Sequence, residues 1–202
     1  MLRKTIKNLN QFTAEEKKIL LRLVESVYFY WYKFEILKDS VDVVKAFNKP
    51  KPFTYMAPLS DYPRLQNTIG FNASMVSFLN ATPFFEKVKK KKSDRFLLHY
   101  LKECKTHSEL LYKLSLILHE KQGMPITYSK NRFKEFIDEL IIELEEEIEK
   151  EYVKTVKKFR NQILAHHTNI NVEEFVDEIA DNLMMVVKFL EEFLLIKVSH
   201  TI

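Results

Sequence analysis

Apolar residues recur along this chain at the spacing of a helix rather than in the alternation of a strand. Ile19, Leu20, Leu23, Val24, Val27, Trp31, Phe34 and Leu37 stand three or four positions apart, which makes one stripe on a helix turning about 100° per residue. Thr13-Ala-Glu-Glu16 stands just ahead of them as a capping box, in which threonine and glutamate each satisfy the other's backbone N–H. The pattern extends through Val41, Val44 and Phe47. The aromatic block Tyr28-Phe29-Tyr30-Trp31-Tyr32 surrounds this helix on all sides. It reads as core plus a second packing face; a base-stacking platform is the alternative and requires exposed rings.

Pro50, Pro52, Pro58 and Pro63 forbid regular helix, so the chain from Asn48 to Pro63 is expected to be a long surface connection. Helical pattern resumes at Arg64 with Leu65, Ile69, Met75, Val76 and Leu79. Pro83 is expected to kink or end it, with Phe84 and Phe85 as anchors. Ser93 can cap a further helix carrying Phe96, Leu97, Tyr100, Leu101, Leu111, Leu114, Ile117 and Leu118. Gly123 stops it, with Pro125 beyond. From Ser129 onward there is neither Pro nor Gly. Phe133, Phe136, Ile137, Leu140, Ile141, Leu144, Ile148, Tyr152, Val156, Phe159 and Ile163 keep helical period, as one very long helix or as two with a bend near Glu149. Asn171 caps a last helix, with Glu174 as its box partner, and Phe175, Val176, Ile179, Leu183, Val186, Val187, Leu190 and Leu194 form its apolar face. The expected fold is all-α: an up-and-down bundle of five to seven helices in one domain over 1–202. Its N-terminal helices lie within 13–125 and its C-terminal helices within 129–202.

Composition narrows this picture. The 202 residues are 46% hydrophobic, enough for a substantial core, and include only two glycines, too few for a turn-rich β fold. The net charge of +4 permits nucleic-acid binding without requiring it. Cys104 is the only cysteine, so no intrachain disulfide is expected, which suits a reducing, cytoplasmic setting. The first residues are basic but have no apolar core behind them, and no run approaches the length of a membrane span. Cys104, His107 and His99 are too few for a metal site and read as one buried cysteine with two surface histidines. Glutamates 143, 145, 146, 147 and 149 read as a solvated acidic face. Lys87, Lys89, Lys90, Lys91 and Lys92, with Arg95 beyond, read as a solvated loop or helix end, or as a phosphate contact that steers RNA. No metal and no cofactor is expected.

The candidate chemistry lies in Phe159-Arg160-Asn161-Gln162-Ile163-Leu164-Ala165-His166-His167. On one helix Arg160 and His166 lie about 120° apart around the axis, with about 9 Å of rise between them. The two can approach by bending of the arginine, or across a two-fold axis, where the small Ala165 allows close contact. Neither is placed on the main apolar stripe. Lys154, Lys157 and Lys158 make the preceding turn basic after an acidic stretch. Histidine is suited to proton transfer and arginine to holding phosphate oxygens, and Asn161 can hold a phosphate or orient the histidine.

Arg160-Asn161 followed at His166 by the histidine resembles the Arg-polar-x(3–5)-His signature of the HEPN superfamily. Phe-Arg-Asn-x-x-Leu-Ala-His is similar to its abortive-infection, AbiU-like members. The resemblance implies a HEPN-like helical bundle that dimerises through its motif helices and a metal-independent endoribonuclease of toxin–antitoxin or phage-defence type. It implies RNA as partner, a homodimer, and regulation by an antitoxin or another protein. Arg160, Asn161 and His166 would form the catalytic set, while Lys157, Lys158, His167, Lys89, Lys90, Lys91 and Lys92 would contact RNA. HEPN toxins controlled by nucleotidyltransferase antitoxins carry a tyrosine two residues after the motif histidine. Here Thr168 stands there, so that form of control is not expected. The other function class is a non-catalytic dimeric helical module that binds a protein or nucleotide.

Overall fold

The computed structural model describes residues 2–48, 63–86, 96–125, 127–165 and 172–198, and these are helical with no strand. Eight α-helices follow one another among them: α1 Leu2–Lys7, α2 Ala14–Asn48, α3 Pro63–Phe85, α4 Leu97–Thr106, α5 Ser108–Gln122, α6 Lys130–Ile148, α7 Glu151–Ala165 and α8 Val172–Leu190, the last running into a π-helical segment Glu191–Lys197. The count exceeds the five to seven expected, for local reasons. The chain around His107 breaks one expected helix into α4 and α5. Glu149 and Lys150 break the long C-terminal run into α6 and α7. Both ends of the connection expected over Asn48 to Pro63 are helical, because Asn48 closes α2 and Pro63 takes the first position of α3, where a proline N–H is not needed; 49–62, the lysine run, Ser93 and Asn171 lie outside the described residues.

The start and stop signals act as the chemistry predicts. The Thr13 N–H donates to Glu16 Oε2 at 2.7 Å and the Glu16 N–H donates to Thr13 Oγ1 at 3.2 Å, opening the 35-residue α2. Gly123 adopts φ 67° and closes α5, a left-handed conformation that side chains disfavour. Pro83 sits inside the last turn of α3, which ends two residues later with Phe84 and Phe85 buried.

Contacts divide the chain into two compact units. The first comprises Met1–Trp31, Pro83–Glu146 and Phe193–Ile202. In it Arg22 reaches Glu103 at 2.9 Å and the Tyr30 ring lies 5.5 Å from that of Tyr100, so α2 and α4 run antiparallel. Lys102–Glu145 and Lys105–Asp138, both at 2.7 Å, set α6 antiparallel to α4. Leu20, Leu23, Leu97, Leu101, Leu111, Ile137 and Leu144 form the core, each buried side chain contributing about 1.5–3 kcal/mol. Cys104 is fully buried there, and burial pushes its thiol up to about 12 against a smaller pull from Tyr100. His99 and His107 are half-buried rather than surface residues.

The second unit comprises Tyr32–Thr82 and Glu147–Glu192. Here α3 lies antiparallel to α2, joined by Lys33 Nζ to Asn80 Oδ1 at 3.1 Å and by Ser77 to Ser40 at 2.8 Å. α8 packs on α7, and Lys38 reaches Glu191 at 2.7 Å. Phe34, Leu37, Val41, Phe78, Val153, Val156, Ile179, Leu183 and Val186 fill the interior.

The acidic stretch is not uniformly solvated. Glu143 pairs with Lys197, and Glu147 is 4% exposed with Lys150 Nζ at 2.6 Å. The buried carboxylate is tolerable because its charge is matched. Among the described residues no cluster suits a metal ion, and no helix is long and apolar enough to cross a membrane.

The capping box makes a testable pair. Thr13→Ala should cost about 1 kcal/mol in urea unfolding. The Thr13 backbone N–H, followed by its hydroxyl, holds the Glu16 carboxyl below the usual range. Its contribution is therefore present at neutral pH and is lost as the pH falls through the depressed value. The stability difference between wild type and Glu16→Ala should shrink on acidification.

Candidate functional site

The helix that carries the motif starts after a turn at Glu149 and Lys150. The Lys150 N–H bonds the Glu147 carbonyl and the Lys154 N–H bonds the Lys150 carbonyl. Glu151 occupies the first turn, where a negative charge suits the helix dipole. Tyr152, Val153 and Val156 then bury one side of α7.

Arg160 follows Val153 by seven positions and Val156 by four, so it continues that buried face. The expectation that it stands off the apolar stripe is corrected: the residue is half-buried. Its guanidinium is held on two sides within the second unit. Nε and Nη2 both donate to Asn161 Oδ1, at 3.1 and 2.8 Å. Nη1 donates to Thr82 Oγ1 at 3.3 Å. The Thr82 hydroxyl itself donates to the Phe78 carbonyl at 2.9 Å. Its one proton is thereby committed, and a lone pair is left to accept from Arg160.

Asn161 is exposed, and its amide oxygen is directed to the arginine. Lys158 is exposed and Lys157 half-buried. α7 is described through Ala165. His166, His167 and Lys89, Lys90, Lys91 and Lys92 lie outside the described residues. Of the expected catalytic set, then, Arg160 and Asn161 are brought together directly.

Thr82 was missed from sequence. A threonine before a proline in a neutral run reads as helix-ending chemistry, and nothing local points to an arginine 78 positions away. The rings of Tyr28 and Tyr32 on α2 are 59% and 64% exposed, which meets the condition for a stacking platform. However, the exposed carboxylate of Glu35 shares that helix face and repels a phosphate backbone, while that of Glu25 is paired with Arg3 at 3.2 Å.

The chain matches no protein-family model, no curated protein and no solved structure.

The arrangement around Arg160 predicts a graded response at position 82. Thr82→Val removes both hydrogen bonds of the hydroxyl and should destabilise the protein by about 1–3 kcal/mol, the usual net worth of two such bonds. Thr82→Ser should stay close to wild type. Urea unfolding measures both.

Proposed function

We propose that the protein is a HEPN-like, metal-independent endoribonuclease of toxin or phage-defence type, acting as a homodimer with a composite site. The observation that carries the reading is the arginine fork held by the neighbouring asparagine, six positions before His166 in the Arg-Asn-x4-His motif. A surface arginine in an incidental ion pair has no need of such an arrangement.

Cleavage without a metal needs a base for the 2′-hydroxyl, a cation for the phosphorane oxygens and an acid for the leaving 5′-oxygen. The products are a 2′,3′-cyclic phosphate and a free 5′-hydroxyl. Arg160 supplies the cation. Its Nε and Nη2 edge rests on a neutral amide oxygen, which a phosphate oxygen replaces with about twofold stronger, charge-assisted bonds. Asn161 thus acts as a placeholder and orienting group. His166 supplies proton transfer near its ordinary pKa, and a second copy supplies the other histidine. Lys157, Lys158, His167 and the run Lys89, Lys90, Lys91 and Lys92 attract the RNA backbone. An antitoxin or another protein regulates the activity.

One observation favours a second reading. Arg160 is half-buried and bonded to Thr82, as befits a non-catalytic helical module in which the arginine only fixes α7 against α3.

The two readings part in one experiment: cleavage of structured and unstructured RNA at fixed salt with a chelator present. His166→Ala should lower turnover by about 10²–10⁴, the usual worth of a positioned proton-transfer group. Arg160→Ala should do similar damage, Asn161→Ala less, and His167→Ala little. Changing Lys89, Lys90, Lys91 and Lys92 should shift binding and its salt dependence more than turnover. A wild type that cuts nothing, or a His166→Ala that cuts equally well, leaves the module reading in its place.

A further inference from the structure

The bond from Arg160 to Thr82 differs in kind from its bonds to Asn161. Asn161 is the next residue on the same helix and is exposed. Residues one position apart do not face each other on a helix, so the guanidinium curls across to reach the amide. Those bonds fix the two side chains to each other and leave them to move together. Thr82 belongs to α3, in the same compact unit as α7. Its bond to Nη1 at 3.3 Å ties the fork to a second helix.

Thr82 is also a stiff acceptor. Its β-branch restricts χ1. Its hydroxyl proton goes to the Phe78 carbonyl one turn back, at 2.9 Å, so the oxygen presents its lone pair in one direction. The residue is half-buried, which limits competition from water. Three donors then define the plane of the guanidinium: Nη1 on Thr82, and Nε and Nη2 on Asn161. Nε and Nη2 form one edge of the fork, and Nη1 lies off that edge. A phosphate oxygen that replaces Asn161 Oδ1 takes the Nε and Nη2 edge and leaves Nη1 in place. The Asn161 bonds are exchanged on binding while the Thr82 bond persists. A long side chain already held in its bound plane loses less freedom when it binds.

We infer that Thr82 is a positioning residue: it sets the plane of the Arg160 fork so that the Nε and Nη2 edge meets a phosphate oxygen of RNA. The inference rests on the reading of Arg160 as a phosphate clamp. It differs from the module reading, in which the same bond serves only to join two helices.

Binding of a 2′-methoxy oligoribonucleotide by the full chain, at fixed salt, tests this apart from cleavage, because the probe carries the phosphates but no 2′-hydroxyl to attack them. The wild type should bind. Thr82→Val, which keeps the shape and loses the hydroxyl, should weaken binding about three- to tenfold, and Thr82→Ser should restore it. Arg160→Ala should weaken binding about 10- to 100-fold, and adding Thr82→Val to Arg160→Ala should change nothing further. Ser77→Ala breaks a different hydrogen bond of α3, to Ser40 on α2, and should lower stability without touching binding. Thr82→Ala repeats the cycle should Thr82→Val fail to fold, as read by far-ultraviolet circular dichroism. A Thr82→Val that binds like the wild type, or that weakens binding as much without Arg160 as with it, overturns the inference, as does a wild type that does not bind. The expected pattern in a protein that cuts no RNA supports the positioning role and defeats the nuclease reading alone. RNA cleavage that depends on Arg160 but not on Thr82 defeats the positioning role and leaves the chemistry.

Discussion

A polar group taken out of water must find a partner, and on α3 that rule governs the second unit. Ser77, Asn80 and Thr82 all sit on the stretch of α3 between Arg64 and Glu86 that carries no charge, and each is satisfied by a different neighbour: Ser40 and Lys33 from α2, Arg160 from α7. Hydrogen bonds of this kind are individually modest in net worth, but a buried donor or acceptor left unmade costs more. The bonds therefore select one rotation of α3 about its axis. With its hydroxyls and amide turned inward, Val76 and Leu79 have only the outside to face. The anchored arginine and the apolar outer strip are two results of the same rotation.

Charge is used differently in the first unit. Lys102–Glu145, Lys105–Asp138 and Arg22–Glu103 bridge neighbouring helices at the rim of an aliphatic core. Exposed pairs of this kind contribute about 0–1 kcal/mol each, so they select direction and register while the leucines supply the stability. The motif helix stands between these two modes. The chain just ahead of it is anchored by Lys150 on the buried, charge-matched Glu147, and its later half by neutral acceptors on a cationic fork.

Much of the fold was legible in the sequence because its signals are local. The Thr13–Glu16 box, the left-handed Gly123 and the burial of Cys104 all follow from neighbours within a few positions. The breaks at His107 and at Glu149–Lys150 were less visible, because neither carries a Pro or Gly and the apolar period continues past both. The burial of Glu147 was hidden among glutamates that look alike in a list. At the site, the Arg160–Asn161 pair was legible as a motif, but its geometry was not. Periodicity placed Arg160 off the buried stripe because the stripe was followed through Phe159 and Ile163. Counting from Val153 puts it on the stripe. Thr82 belongs to the class of contacts that only tertiary structure reveals.

The π-helical segment after α8 alters how the chain's last described residues are indexed. An α-helix aligns side chains three and four positions apart. A wider turn aligns those five apart, and Phe193 and Val198, five apart, are both buried. Leu194 is buried beside them. Length and burial are thereby decoupled at this point. A one-residue insertion or deletion within the segment would turn Val198 by about 100° relative to Phe193. The width of the turn is what lets Phe193, within the segment, and Val198, just beyond it, share a buried side.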